Sequence, residues 1–218
     1  MSVRHRIPDE ILAEYAAGDL AEAFGLVVAS HVSLCTESRE RLEEIEAVGG
    51  AILEDVEAEP MGAGSLEATL AKIADGPPPE APLTFSSTDA GTYILPKPIR
   101  DYIGGDVESV KWRSVGMGVK QAILPTSPEA TARLLYIPAG CEMPDHGHRG
   151  MEMTVVLQGA FLDGEDRFGR GDVEVADEDL AHMPVADVGE DCICLAAADA
   201  PLRFSGLLPR LFQPFLKI

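Results

Sequence analysis

The stretch P-D-H-G-H-R-G-M-E-M-T-V-V-L-Q-G, Pro144 to Gly159, decides the fold of this 218-residue chain. Two of its five histidines, His146 and His148, lie here one residue apart, and Glu152 follows four residues after the second. Along an extended strand alternate residues share a face. A strand running unbroken from 146 to 152 therefore turns all three side chains inward. A turn at Arg149-Gly150 would return Glu152 to the histidines by another route. Either path gathers two imidazoles and a carboxylate in a small space. Buried bare, such a cluster is costly. A divalent cation removes the cost, because it takes neutral imidazoles and an ionised carboxylate as ligands. His182, in D-L-A-H-M-P, is the remaining histidine of this half and the candidate fourth ligand. The set His146, His148, Glu152 and His182 suits zinc, iron, manganese, nickel or copper, and donor type alone does not choose among them.

Working outward, the segment from about residue 92 reads as short strands. V-K-W-R-S-V, G-V-K-Q-A-I-L, T-A-R-L-L-Y-I, M-T-V-V-L-Q-G and D-C-I-C-L-A-A are separated by Gly, Pro and Asp, the pattern of a sandwich or barrel. Met143, Met151, Met153 and Met183 flank the proposed ligands, with Cys141 nearby. They read as apolar filling of a barrel, or more sharply as groups open to oxidation.

The central motif resembles the cupin signature: Gly140, five residues, His146-x-His148, three residues, Glu152, six residues, Gly159. The second cupin motif, a P-x-G with a histidine soon after, is matched more loosely by Gly169-Arg170-Gly171 and, after a longer gap, His182. The resemblance implies a metal-binding β-barrel.

Residues 8 to about 75 read as helices. Pro8-Asp9 opens the first, and Gly18 stops it. Asp19 with Glu22 has the spacing of a capping box for the second. The third begins near Glu37 with an inner stripe of Leu42, Ile45, Val48, Ile52 and Val56, and Gly49-Gly50 is a candidate bend. Ser65 is a candidate cap for a fourth. G-P-P-P-E-A-P cannot continue a helix, and residues 76–91 read as an extended linker. The fold class expected is α+β: a small N-terminal helical bundle over 1–75, then an all-β cupin barrel over 92–218. So small a bundle leaves apolar surface open unless something covers it.

Charge and cysteine usage narrow the function. Lys plus Arg is 17 against 37 Asp plus Glu, a net charge of −20. Such a surface repels phosphates and argues against direct nucleic-acid binding. It suits a basic protein partner, and it suits plain solubility as well. No apolar run is long enough for a membrane span, and the N-terminus lacks a secretory h-region, so a cytoplasmic location is expected. Cysteines 35, 141, 192 and 194 should then be reduced. Cys192 and Cys194 sit at i and i+2 of a strand, a poor geometry for a disulfide.

One feature of the helical half carries chemistry. His31 and Cys35, in H-V-S-L-C, lie one helical turn apart and could reach one metal. A closed zinc site needs two more ligands, and the next position, Ser38, is a poor one. H-x3-C-x2-S resembles the H-x3-C-x2-C signature of the zinc-binding anti-sigma domain. In the ChrR branch of that family the helical domain precedes a cupin domain. The resemblance runs nearly end to end, through A-Y-A-A-G, L-A-E-A-F-G-L-V-V-A-S-H-V-S-L-C, V-K-W-R, Q-A-I-L-P-T, P-D-H-G-H-R-G and D-C-I-C-L-A-A. It implies an anti-sigma factor that holds an extracytoplasmic-function sigma factor through its N-terminal helices and releases it on an oxidative signal such as singlet oxygen. Zinc is the metal implied in both halves. Two positions depart: Ser38 stands where the family has a cysteine, and Arg6 where it has a histidine. His5 could shift in, giving a weaker second site of His5, His31 and Cys35. A different class of function stays open, a metal-dependent cupin enzyme such as a dioxygenase or isomerase, since fold alone does not decide.

Overall fold

The computed structural model describes residues 3–76, 93–144, 146–147, 149–177, 181–201 and 203–204. His148 and the proline-rich linker beyond Gly76 lie outside the described residues.

The architecture follows from strands that feed two cores at once. In β5 (Glu152–Gln158), Met153, Val155 and Leu157 enter one apolar cluster, and Val156 enters another. In β11 (Cys192–Ala198), Ile193, Leu195 and Ala197 join the first, Cys192 and Cys194 the second. Period-two alternation requires this split. A strand buried on both faces reads as a continuous apolar run, as M-T-V-V-L and C-I-C-L-A-A do.

These strands centre a six-stranded sheet. Its order is β1 (Arg113–Gly116), β2 (Val119–Ile123), β3 (Thr131–Ile137), β11, β5, β8 (Val173–Ala176). A second sheet, β10 (Val185–Ala186), β6 (Ala160–Asp163), β7 (Asp166–Gly169), closes over the inner face. Phe161 and Phe168 stack there at 4.9 Å, beside Cys192 and Cys194. The two cysteines are free and buried in that inner cluster. A third sheet has the order β12 (Arg203–Phe204), β4 (His146–Gly147), β9 (Ala181–His182).

The outer face of the large sheet is covered by helices. α1 (Asp9–Ala17) ends at Gly18, whose φ of 78° is a left-handed cap. α2 (Glu22–Leu34) is apolar on nearly all sides because it is buried on nearly all sides. It packs across β11, β5 and β3, with Ala23, Val27 and Val28 fully buried. Helices and sheet therefore share one continuous core.

Several local expectations are corrected. The Asp19/Glu22 capping box does not form: Ala21 is the N-cap of α2, without a side-chain cap bond. Glu22 instead accepts from the Tyr102 hydroxyl at 2.5 Å and the Ser127 N–H at 2.6 Å. α3 (Thr36–Glu54) runs through Gly49-Gly50 without a break. Its stripe is inward only at its start: Leu42 is buried, but Val48, Ile52 and Val56 are exposed. Ser65 is the first residue of α4 (Ser65–Asp75) rather than its cap, and Gly64 holds the cap position. A helix not expected, α5 (Lys97–Ile103), lies in the segment read as strands. Pro98 in its first turn and Gly104 at its C-cap are the signals that mark it. It packs on α2.

Candidate functional site

At the barrel mouth, β4 and β9 pair antiparallel with His146 directly opposite His182. Opposed residues in such a pair have Cα atoms about 4.5–5.5 Å apart. The topology thus joins two proposed ligands from distant parts of the sequence. β12 flanks β4 on its other side, with Phe204 opposite His146. The unbroken strand considered for 146–152 is not formed. β4 ends at Gly147 and belongs to a different sheet from β5, which starts at Glu152. The bend at Arg149-Gly150 links them. A Cβ added at Gly150 would meet Asp199 Oδ1 at 2.0 Å, so the exposed Asp199 side chain would have to move aside for any larger residue.

Glu152 is half-buried at the head of β5, between Ala176 of β8 and Ala198 of β11. The Thr154 hydroxyl donates to it at 3.5 Å. On β3, burial pushes the Arg133 guanidinium down from its ordinary range, opposed by the charge of Glu152. The Cys194 thiol is held well above its ordinary value, chiefly by its hydrogen bond with Cys192 and by burial. A thiol so held stays protonated and unreactive. The flanking methionines do not converge. Met153 is adjacent to Glu152, faces the helices and is fully buried, whereas Met183 is exposed.

In the helical half, His31 is completely buried. Its Nδ1 lies 2.7 Å from the Gly171 carbonyl and its Nε2 2.8 Å from Ser38 Oγ. A carbonyl only accepts, so Nδ1 carries the hydrogen and Nε2 accepts from the serine hydroxyl. Desolvation lowers the His31 pKa, which keeps the ring neutral. Cys35 is buried at the junction of α2 and α3. His5 stacks on Phe168 at 4.3 Å between ring centroids. Its ring nitrogens lie 3.7 Å from Asp166 and 3.8 Å from Asp172, and its Nδ1 is buried without a hydrogen-bond partner. Arg6 is ion-paired with Glu37.

Sequence reasoning missed the turn that joins the halves, Gly169-Arg170-Gly171-Asp172. Asp172 Oδ1 accepts the N–H groups of Arg4 at 2.6 Å and His5 at 2.9 Å, and Oδ2 that of Gly169 at 2.8 Å. Val173 N–H donates to the His5 carbonyl at 3.0 Å. Arg170 donates to the carbonyls of Ile94, at 2.7 Å, and Leu157. The only sequence signal was the match to the second cupin motif, which suggested a metal rather than a clasp.

A third feature is apolar and open. On α3, Val48, Ile52 and Leu53 are each more than half exposed, as are Val56 just past its end and Leu66, Leu70 and Ile73 on α4. α4 has no buried residue.

A helical unit seated on the outside of a small barrel, with a histidine pair opposed at the barrel mouth, defines a helix-capped cupin. Residues 101–200 match the ChrR Cupin-like domain family. The chain is 52% identical to the Anti-sigma-E factor ChrR of Cereibacter sphaeroides over 218 residues, 100% of both chains. It superposes with a TM-score of 0.79 and 50% identity on a chain from the crystal structure of Rhodobacter sphaeroides SigE in complex with the anti-sigma ChrR, covering 91% of this chain and 100% of that one. The protein belongs to the ChrR family of anti-sigma factors.

Proposed function

We propose that this protein is an anti-sigma factor that sequesters an extracytoplasmic-function sigma factor, and that its cupin half senses an oxidative signal and reverses the grip. The observation that carries the reading is the open apolar surface of α3 and α4. Isolated exposed apolar residues are ordinary, but seven along two consecutive helices and the segment between them mark an interaction surface. α2 buries its apolar residues on the sheet and α1 packs on α3 and α2, so the helical half has already satisfied its own core. The net charge of −20 favours a partner with basic, DNA-facing surfaces. The complex that the relative ChrR forms with SigE supports the same partner class. Among the described residues no helix is long and apolar enough to cross a membrane, and a sigma-factor partner supports the reading that the protein acts in the cytoplasm.

For the sensing half, the backbone pairing of His146 with His182 fits a metal centre completed by His148 and Glu152. A divalent ion there, zinc by the family resemblance, would supply a cross-link between strands of different sheets. The chain's own residues relay a change at that site. Glu152 begins β5, and the next residue, Met153, is packed fully into the core shared with the helices. A displacement at the head of β5 is therefore felt under α2. Release follows if the signal favours the arrangement that binds the partner less tightly. No step in this reading requires turnover of a substrate.

The test is co-expression of the full chain with candidate sigma factors of this class. Co-elution as a stable complex is expected, and Ile52→Asp should abolish it while the protein stays folded. Failure of every candidate to bind would overturn the reading.

A further inference from the structure

The junction of α2, α3 and the β7–β8 turn has the residues of a ligand site without the donors of one. His31 offers no free lone pair: its Nδ1–H donates to Gly171, and its Nε2 accepts from Ser38 at 2.8 Å. Cys35 is the one thiol nearby, buried where α2 gives way to α3. The remaining neighbours do not complete a set. Arg6 carries a guanidinium, which has no lone pair to give, and it is paired with Glu37. His5 faces Asp166 and Asp172 and stacks on Phe168. Among the described residues, which include every one of these, no three His, Cys, Asp or Glu side chains are grouped to hold a metal. A closed structural zinc site takes four such ligands, and the donor set here does not fit one.

The geometry points to a hydrogen-bonded clasp, Gly171–His31–Ser38, that closes this junction without a metal and fastens the helical half to the barrel. The serine proton occupies the direction in which a ligated imidazole would meet a metal. On the other nitrogen, the bond to a backbone carbonyl fixes tautomer and ring orientation, as it does for metal-bound histidines. Because the acceptor is Gly171, the clasp crosses from α2 to the barrel. The Arg4 and His5 N–H groups bonded to Asp172 reinforce it one residue further on. Gly171 has no room for change either: its φ is 89°, and an added Cβ would meet Val3 at 2.8 Å. The integrity of the helical half in this chain is thus independent of metal supply, whatever the barrel mouth binds.

The test uses the full-length protein loaded with Co²⁺, because thiolate ligation gives an intense near-ultraviolet charge-transfer band that imidazole and carboxylate do not. No band that depends on Cys35 is expected, so the spectra of wild type and Cys35→Ala should coincide. In parallel, Ser38→Ala should lower Tm by about 3–9 °C, with or without chelator, by stranding a buried ring nitrogen. Ser38→Thr, which keeps the hydroxyl, should recover most of the loss. A cobalt band lost on Cys35→Ala overturns the proposal, as does a Tm unmoved by Ser38→Ala.

Discussion

His146 and His182 are register partners on neighbouring strands of the small sheet at the barrel mouth, β4 and β9. One comes from the motif that marks the cupin, the other from a loosely spaced second motif. Their pairing sets the backbones of two proposed ligand residues directly opposite each other. Either His146→Ala or Glu152→Ala should therefore reduce bound metal from about one equivalent per chain to near zero, since an open three-donor remnant binds far more weakly. Elemental analysis of purified variants checks this.

The open helices give a different kind of prediction. Ile52→Asp and Leu70→Asp change residues that are already in water, so stability should move by no more than about 0.5 kcal/mol. Binding of the sigma factor should weaken by about 30-fold or more, the loss of a central apolar anchor worth about 2 kcal/mol. Thermal melts and affinity titrations on the same samples separate the two effects.

Asp172 is nearly buried and accepts three backbone N–H groups. Asp172→Ala strands them and should cost about 2–4 kcal/mol, seen as a Tm lower by about 6–12 °C. Limited proteolysis should show earlier cleavage at the N-terminal arm, because its only polar anchors on the turn are those to Asp172 and Val173 among the described residues.

The two end glycines of the cupin motif should differ in their tolerance. Gly140 and Gly159 both have left-handed φ, 72° and 67°. At Gly140 an added Cβ meets Val188 at an ordinary 3.7 Å, whereas at Gly159 it meets the Asp191 carbonyl at 2.6 Å. Gly140→Ala should cost about 1–2 kcal/mol from backbone strain alone. Gly159→Ala adds a backbone clash and should cost about 2–4 kcal/mol. Denaturant melts of the pair test the ranking.

Acid sensitivity follows from Glu22. The Tyr102 hydroxyl, and after it the Ser127 N–H, hold its carboxyl below the usual range, and Tyr102 is pushed up to about 12 chiefly by the same bond. A carboxyl with a lowered folded pKa stabilises the fold above its unfolded value, about 4.3, and that contribution is lost as pH falls through the folded value. The matching contribution from Tyr102 is present below about pH 10 and is lost as pH rises toward 12. Tm should hold between pH 5 and 9 and fall from pH 5 to 3, and Glu22→Gln should flatten part of the acid limb.

Much of this was legible in the chain. The apolar runs of β3, β5 and β11 and the breaks at Gly18 and the prolines carry enough local information to mark elements. What failed was local chemistry that tertiary contacts redirected. Glu22 was free to cap α2 but reaches Tyr102 and Ser127 instead, because the loop after β2 and helix α5 come within its range. The stripe of α3 reads as uniformly inward, yet only its first turns meet α1 and α2.

By itself the sequence determined the two-part plan, the cupin motif with its candidate donors, and the absence of a cysteine at Ser38, because these are matters of residue type and spacing along the chain. Only the tertiary structure decided which face of each element is covered and by what. It set α2 on the outer face of the barrel sheet, left α3 and α4 open, and turned Gly171 toward His31. Those outcomes depend on contacts between residues far apart in sequence, such as His31 with Gly171, whose partners no local pattern encodes.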